Sequence, residues 1–173
     1  APMTYDAARG RVLYLAGGDL WSYDGRDWSR VVVSGPRPAL SPGVFAEMVH
    51  DARRDRVVLL VNSSPNVSPT RVETWELAGD RWVAVQTASA AGPPPRESPR
   101  LVYDDDAGLT RLLLGLGARG VALGDEWAWD GRAWRDVTPM GSRPALRSDY
   151  AVPIYRPDTG ATMVLSPPIF PAF

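Results

Sequence analysis

Short apolar runs separated by polar turns recur along the chain, and their length and spacing predict β-strands rather than helices. The clearest runs are residues 12–16, 57–61, 111–114 and 162–165. Each follows a turn rich in Asp, Arg, Ala or Gly, at residues 7–10, 52–55, 105–108 and 156–160. Each turn follows a short run, at 3–6, 46–51, 100–104 and 150–155, the first three ending in an aromatic residue and an Asp and the fourth in Tyr155. Beyond the apolar runs come paired short segments, 20–23 with 28–33 and 73–77 with 82–86. Asp24-Gly25 and Asp130-Gly131 lie between aromatic or β-branched segments, a strong hairpin signal because glycine accepts the positive φ of a tight turn.

The pattern is periodic. Asp125-Glu126-Trp127-Ala128-Trp129-Asp130-Gly131-Arg132-Ala133-Trp134 has counterparts running from Asp19 to Trp28 and from Glu73 to Trp82. Trp21, Trp75 and Trp127 stand 54 and 52 residues apart, and Trp28, Trp82 and Trp134 keep the same intervals. A period of about 50 residues built from short strands is that of a propeller blade. The expected fold is therefore all-β: one repeat domain over residues 1–173, made of four-stranded antiparallel blades with strands a to d. Blade 1 is expected at about 1–34, blade 2 at 45–86, blade 3 at 99–138 and a half blade at 148–166. Tyr5, His50, Tyr103 and Tyr155 share one position across the units.

Three and a half units do not close a ring, and a propeller hides its strand edges only by closing. The expectation is an arc with open blade faces, either a piece of a longer propeller or a unit that needs a second copy. Residues 167–173, interrupted by three prolines, are poor strand material.

Composition narrows the chemistry. A net charge of −1, with 45% hydrophobic and 23% charged residues, fits a globular chain and gives no footprint for nucleic acid or an acidic membrane surface. No apolar run approaches the roughly 20 residues that span a bilayer, and no basic start leads into an apolar stretch, so the compartment stays open. Cysteine is absent, which removes disulfides, thiolate metal sites and cysteine nucleophiles. No cofactor is expected.

The order aromatic-Asp, turn, apolar run, Gly-Gly, aromatic-Asp-Gly and then Trp resembles the kelch repeat, particularly its bacterial forms. Tyr5-Asp6, Gly17-Gly18, Tyr23-Asp24-Gly25 and Trp28 carry the resemblance in the first unit; Tyr103-Asp104, Trp129-Asp130-Gly131 and Trp134 carry it in the third. The resemblance implies a β-propeller. There are departures: the double glycine is Val61-Asn62 in the second unit and Gly115-Leu116-Gly117 in the third, Asp24 corresponds to Ala78, and Asp6 to Arg156. Kelch proteins include copper-radical galactose oxidase, whose site needs a Tyr cross-linked to Cys and two His. A chain with no Cys and one His cannot assemble it.

Candidate functional residues follow from this frame. Trp28, Trp82 and Trp134 recur once per unit and are expected to pack blade against blade; Trp129 stands where Tyr23 and Leu77 stand. His50 is expected to be a structural residue that Tyr could replace. Asp104-Asp105-Asp106 reads as a solvated turn and Asp125-Glu126 as a cap on the next strand, so no metal site is expected. What remains is loop surface. Strands that alternate direction send the b–c and d–a connections to one face, which holds the long stretches 62–71 and 115–124 and three Pro-rich links. Arg37, Asn62, Asn66, Arg71, Arg96, Arg119 and Arg143 fall there, and guanidinium forks suit carboxylates and aromatic partners. The expected function is a binding module that presents this face to a protein or glycan. The alternatives are a sugar-modifying enzyme of the epimerase or mutarotase kind and a structural spacer.

Overall fold

A computed structural model describes residues 1–86, 92–141 and 151–165. Three four-stranded antiparallel sheets follow one another along the chain, each with its strands side by side in sequence order. Blade 1 comprises β1 (Met3–Asp6), β2 (Arg11–Ala16), β3 (Asp19–Tyr23) and β4 (Trp28–Val31). Blade 2 comprises β5 (Val44–Asp51), β6 (Arg56–Ser63), β7 (Val72–Ala78) and β8 (Arg81–Val85). Blade 3 comprises β9 (Arg100–Asp104), β10 (Leu109–Leu113), β11 (Trp127–Trp129) and β12 (Trp134–Asp136). A two-stranded sheet follows, β13 (Val152–Arg156) with β14 (Ala161–Leu165). The first strands of consecutive sheets, β1, β5, β9 and β13, neighbour one another and form the inner wall. The architecture is an incomplete propeller, and among the described residues no helix is long and apolar enough to cross a membrane.

The a–b hairpin has one register throughout. Its last pairs are Asp6↔Arg11, Asp51↔Arg56, Asp104↔Leu109 and Arg156↔Ala161, each closing a four-residue turn. Its fourth residue has positive φ in every copy: Gly10, Asp55, Gly108 and Gly160. In the first three copies the leading carboxylate accepts from the N–H three residues on, from Arg9, Arg54 and Ala107 at 3.3, 3.0 and 2.9 Å. These side chains do for the turn what a backbone carbonyl would. Since a slip of one residue would turn the apolar face of each strand to solvent, the constant turn also fixes which side chains are buried.

The c–d hairpin explains one departure from the repeat. Tyr23↔Trp28 and Trp129↔Trp134 each close a four-residue loop, and Asp24 and Asp130 fill it by accepting from two following N–H groups at 2.8–2.9 Å. In blade 2 the pairing runs one step further, to Ala78↔Arg81, leaving only Gly79-Asp80 as a loop. Position 78 is then a paired strand residue with no loop to cap, so alanine serves there.

Apolar faces of adjacent blades meet in separate cores. Leu13, Leu15 and Leu20 of blade 1 pack on Met48, Leu59, Trp75 and Trp82 of blade 2. Val58 and Leu60 on the opposite face of blade 2 pack on Leu101, Leu112, Trp129 and Trp134. Val102 and Leu113 meet Ala151 and Tyr155. Trp82, Trp129 and Trp134 are buried, and the indole N–H of Trp134 donates to Thr74 Oγ1 at 2.8 Å. Leu20 occupies the equivalent place opposite Trp82, and the Trp82 N–H finds no partner among the described residues.

Trp28 corrects the expectation that all three repeated indoles are blade-packing residues: it is half exposed, because among the described residues no sheet lies against that face of blade 1. A second correction concerns Asn62, expected to open a surface loop. β6 runs on to Ser63, and Asn62 is a buried strand residue paired with Phe45 and Val72.

Candidate functional site

The b–c and d–a connections are knitted into one surface. Ser64 N–H donates to Gly43 O at 3.1 Å and its hydroxyl to Glu97 Oε1 at 2.6 Å, joining the blade 2 loop to both flanking links. Arg71 Nη2 reaches Ala39 O at 2.8 Å, and Arg119 N–H donates to Asn66 Oδ1 at 3.0 Å, bridging the long loops of blades 2 and 3. Glu97 and Leu116 exchange backbone hydrogen bonds at 2.8 and 2.9 Å.

A cavity of about 330 Å³ opens on this face where the inner strands begin. Leu15, Leu40, Val44 and Phe45 supply apolar wall; Glu47 and Arg100 supply charge. The Glu47 carboxylate, on β5, lies 3.9 Å from Arg100 Nη1 on β9, and Arg100 Nε donates to Ala151 O at 3.2 Å. Burial pushes the Glu47 carboxyl up to about 7, with Arg100 opposing the shift too weakly to cancel it. A second hollow of about 370 Å³ shares Gly17 and Leu40 with the first and is bounded by Asp19 and Arg37.

The residues singled out in the sequence separate into two groups. Arg37 is half exposed beside Asp19, with Nη1 3.3 Å from Oδ1. Arg71 lies between Ala39 O and Glu73, while Asn66 and Arg119 are exposed at the loop bridge. Arg96 and Asn62 are interior. The Arg96 guanidinium is fully buried in a two-pronged pair with Asp125 at 3.0 and 2.7 Å and donates to Leu114 O at 3.1 Å, so every prong serves the scaffold. Asn62 has no side-chain partner among the described residues. Arg143 lies outside the described residues.

Asp125 also accepts from the Trp127 indole at 2.7 Å, as Glu73 does from Trp75 at 2.8 Å, so an acid two residues before the strand c tryptophan orients the ring. Sequence reading missed Glu47 and Arg100. Glu47 sits inside β5 between Ala46 and Met48, Arg100 opens β9 directly after a proline, and only the approach of β5 to β9 pairs them.

The opposite face carries the a–b turns and a cluster around His50. His50 Nε2 lies 3.4 Å from Asp55 Oδ1 and 3.6 Å from Asp6 Oδ1, and these three groups come close enough to hold a metal ion. The carboxylate oxygens are already engaged: Arg9 donates to both oxygens of Asp55 at 2.9 Å and to Asp6 at 3.2 Å, and Arg11 to Asp6 at 3.2 Å. Arg9 above all, then His50, holds the Asp55 carboxyl down at about 2. The cluster is an ion-pair clasp between blades 1 and 2, with a guanidinium in the place a cation would take.

No protein-family model and no curated protein matches the chain. A solved structure similar to it is that of a fucose lectin from Kordia zhangzhouensis in complex with methyl-fucoside, at TM-score 0.41 and 15% identity, covering 82% of this chain and 99% of the lectin. A likeness at that level bears on neither the family nor the ligand of this chain.

Proposed function

We propose that the chain is a kelch-type binding module whose b–c and d–a face receives a protein or glycan partner. The observation that carries this reading is the cavity on the face of the cross-linked loops, with a carboxylate and a guanidinium set among aliphatic and aromatic walls. Its size suits a monosaccharide or a terminal amino acid, and binding sites combine apolar wall with a few convergent polar groups in this manner. Arg37, Asn66, Arg71 and Arg119, on the loops of the same face, would contact the rest of the partner, the three guanidinium forks matched to carboxylates or aromatic faces. Arg96 acts from beneath, tying the links through Asp125 and Leu114 O, and Asn62 lies buried in β6 below the loop face.

Binding of the purified chain to a glycan and peptide array tests the reading, with Glu47→Gln and the double variant Arg37→Ala/Arg119→Ala alongside. Loss of a wild-type signal in both, with no drop in melting temperature, supports the loop face as the binding surface. A signal untouched by all three substitutions places binding elsewhere. One observation favours the second reading, a sugar-modifying enzyme: a carboxyl held near 7 can both give and take a proton at neutral pH. Sugar turnover that disappears in Glu47→Gln would establish it.

A further inference from the structure

Every junction between neighbouring blades is made from the same two surfaces. The earlier blade offers one face of its first two strands, with Thr4, Leu13 and Leu15 in blade 1 and Val49, Val58 and Leu60 in blade 2. The later blade offers the opposite face, Met48, Val57 and Leu59 in blade 2 and Leu101 and Leu112 in blade 3. One surface of each kind is left open among the described residues. Blade 1 presents Met3, Tyr5 and Trp28 on the side that the later blade buries elsewhere, with Tyr5 59% exposed. The β13–β14 sheet presents Ile154, Met163 and Leu165 on the side that the earlier blade buries elsewhere, with Ile154 43% exposed.

The a–b turns carry a second, independent match. Between blades 2 and 3, the Tyr103 hydroxyl accepts from Arg53 N–H at 3.0 Å, and the Arg53 side chain lies so close over Gly108 that a Cβ there would meet it at 2.6 Å. Between blade 3 and the two-stranded sheet, the Tyr155 hydroxyl accepts from Asp106 N–H at 3.3 Å, and the Asp106 carboxylate would meet a Cβ on Gly160 at 2.7 Å. Between blades 1 and 2 the covering residue is Ala8, which is too short to reach across, and the glycine position holds Asp55. Glycine thus stands where the preceding turn brings a long side chain, and a side chain where it does not. Blade 1 has Tyr5 and Gly10 at the receiving positions, and the β13–β14 turn has Asp158 at the covering position.

We propose that a second copy of this chain docks head to tail, its blade 1 seated on the open face of β13–β14. The Tyr5 hydroxyl of one copy accepts from the Asp158 N–H of the other, and Gly10 lies under the Asp158 side chain. The two surfaces differ, so the contact is heterologous: it repeats from copy to copy until the rotation closes a ring. It extends the blade-to-blade packing that already holds the chain together, which is what covers open faces in stacked repeats.

Light scattering on the size-separated full chain gives the first test, with a mass at least twice that of one chain expected. Ile154→Glu and Met163→Glu lie on a face that no other described residues cover, so folding should survive while the mass falls to that of a monomer. The absence of cysteine allows a second test without background. With a short bismaleimide cross-linker, a mixture of Tyr5→Cys and Asp158→Cys chains should form a mixed cross-linked dimer, and neither variant alone should. A monomeric wild-type chain at high micromolar concentration would overturn the proposal. So would a cross-linked dimer of Tyr5→Cys with itself, which requires a two-fold contact, or a monomer in which sugars alter tryptophan fluorescence and Trp28→Phe abolishes the change, which would make the open face a glycan platform.

Discussion

Trp28 and Trp82 occupy the same position in consecutive blades, opening strand d directly after the c–d loop. Trp28 is 50% exposed and Trp82 0%. Local structure cannot account for the difference, since Trp28 pairs with Tyr23 as Trp82 pairs with Leu77. What differs is the neighbour. Trp82 faces Leu13, Leu15 and Leu20 of blade 1, whereas the rings beside Trp28 among the described residues are those of Tyr14 and Tyr23 in its own blade, at centroid distances of 6.0 and 5.2 Å. In a repeat fold, the repeat specifies a surface and the adjacent unit decides whether that surface is core.

The largest expected effect tests this contrast directly. Trp82→Ala leaves a cavity between two blades and should cost about 3–5 kcal/mol, whereas Trp28→Ala should cost under about 1 kcal/mol in a monomeric preparation, both read from urea unfolding midpoints. Equal costs would mean that Trp28 is covered in solution, which head-to-tail association would produce in a concentration-dependent way.

The two link arginines sharpen the comparison next. Arg96→Ala removes the guanidinium that pairs with Asp125 and should destabilise by about 3 kcal/mol, because a partly buried carboxylate loses its counterion. Arg37 makes a longer contact with Asp19 in half-exposed surroundings, and Arg37→Ala should change stability by less than about 0.5 kcal/mol. Comparable losses would show that the loop surface is as tightly built around blade 1 as around blade 3.

Glu47 gives a smaller effect that is visible only against pH. Its carboxyl titrates higher in the folded chain than its usual value of 4.5, so the unfolded chain releases this proton first. The contribution to stability is therefore complete below about 4.5 and is lost as pH rises through about 7, by at most about 3 kcal/mol. Glu47→Gln should remove this slope and melt higher than the parent at pH 8. A parent melting temperature flat from pH 5 to 8 would place the carboxylate in fuller contact with water.

The smallest effect concerns the shared position of strand a. Tyr103 and Tyr155 each accept from the preceding turn, and His50 instead joins the Arg9, Asp6 and Asp55 clasp. His50→Tyr exchanges one set of polar contacts for the other and should cost about 1 kcal/mol. A loss several times larger would show that the clasp, rather than ring packing, joins blades 1 and 2.

Much of the fold was legible in the sequence because it rests on local chemistry. The Asp-led turns, the positive φ at Gly10, Gly108 and Gly160, and the alternation in strands such as β2 are set by residues within ten positions of each other. The 52- to 54-residue interval repeats those local choices and so announces the blades. The site was legible only in outline. Arg37, Asn66, Arg71 and Arg119 were placed on the loop face by counting strand reversals, but the same count put Arg96 and Asn62 there. Whether a polar residue in a connection meets water or a buried partner is decided by chain that arrives from far away: Asp125 comes 29 residues after Arg96. The pairing of Glu47 with Arg100 spans an entire blade, and the value near 7 arises from burial that no neighbour in the sequence supplies. Short-range turn chemistry thus belongs to the sequence, whereas exposure and proton affinity depend on which blade lies alongside, and only the tertiary structure decides that.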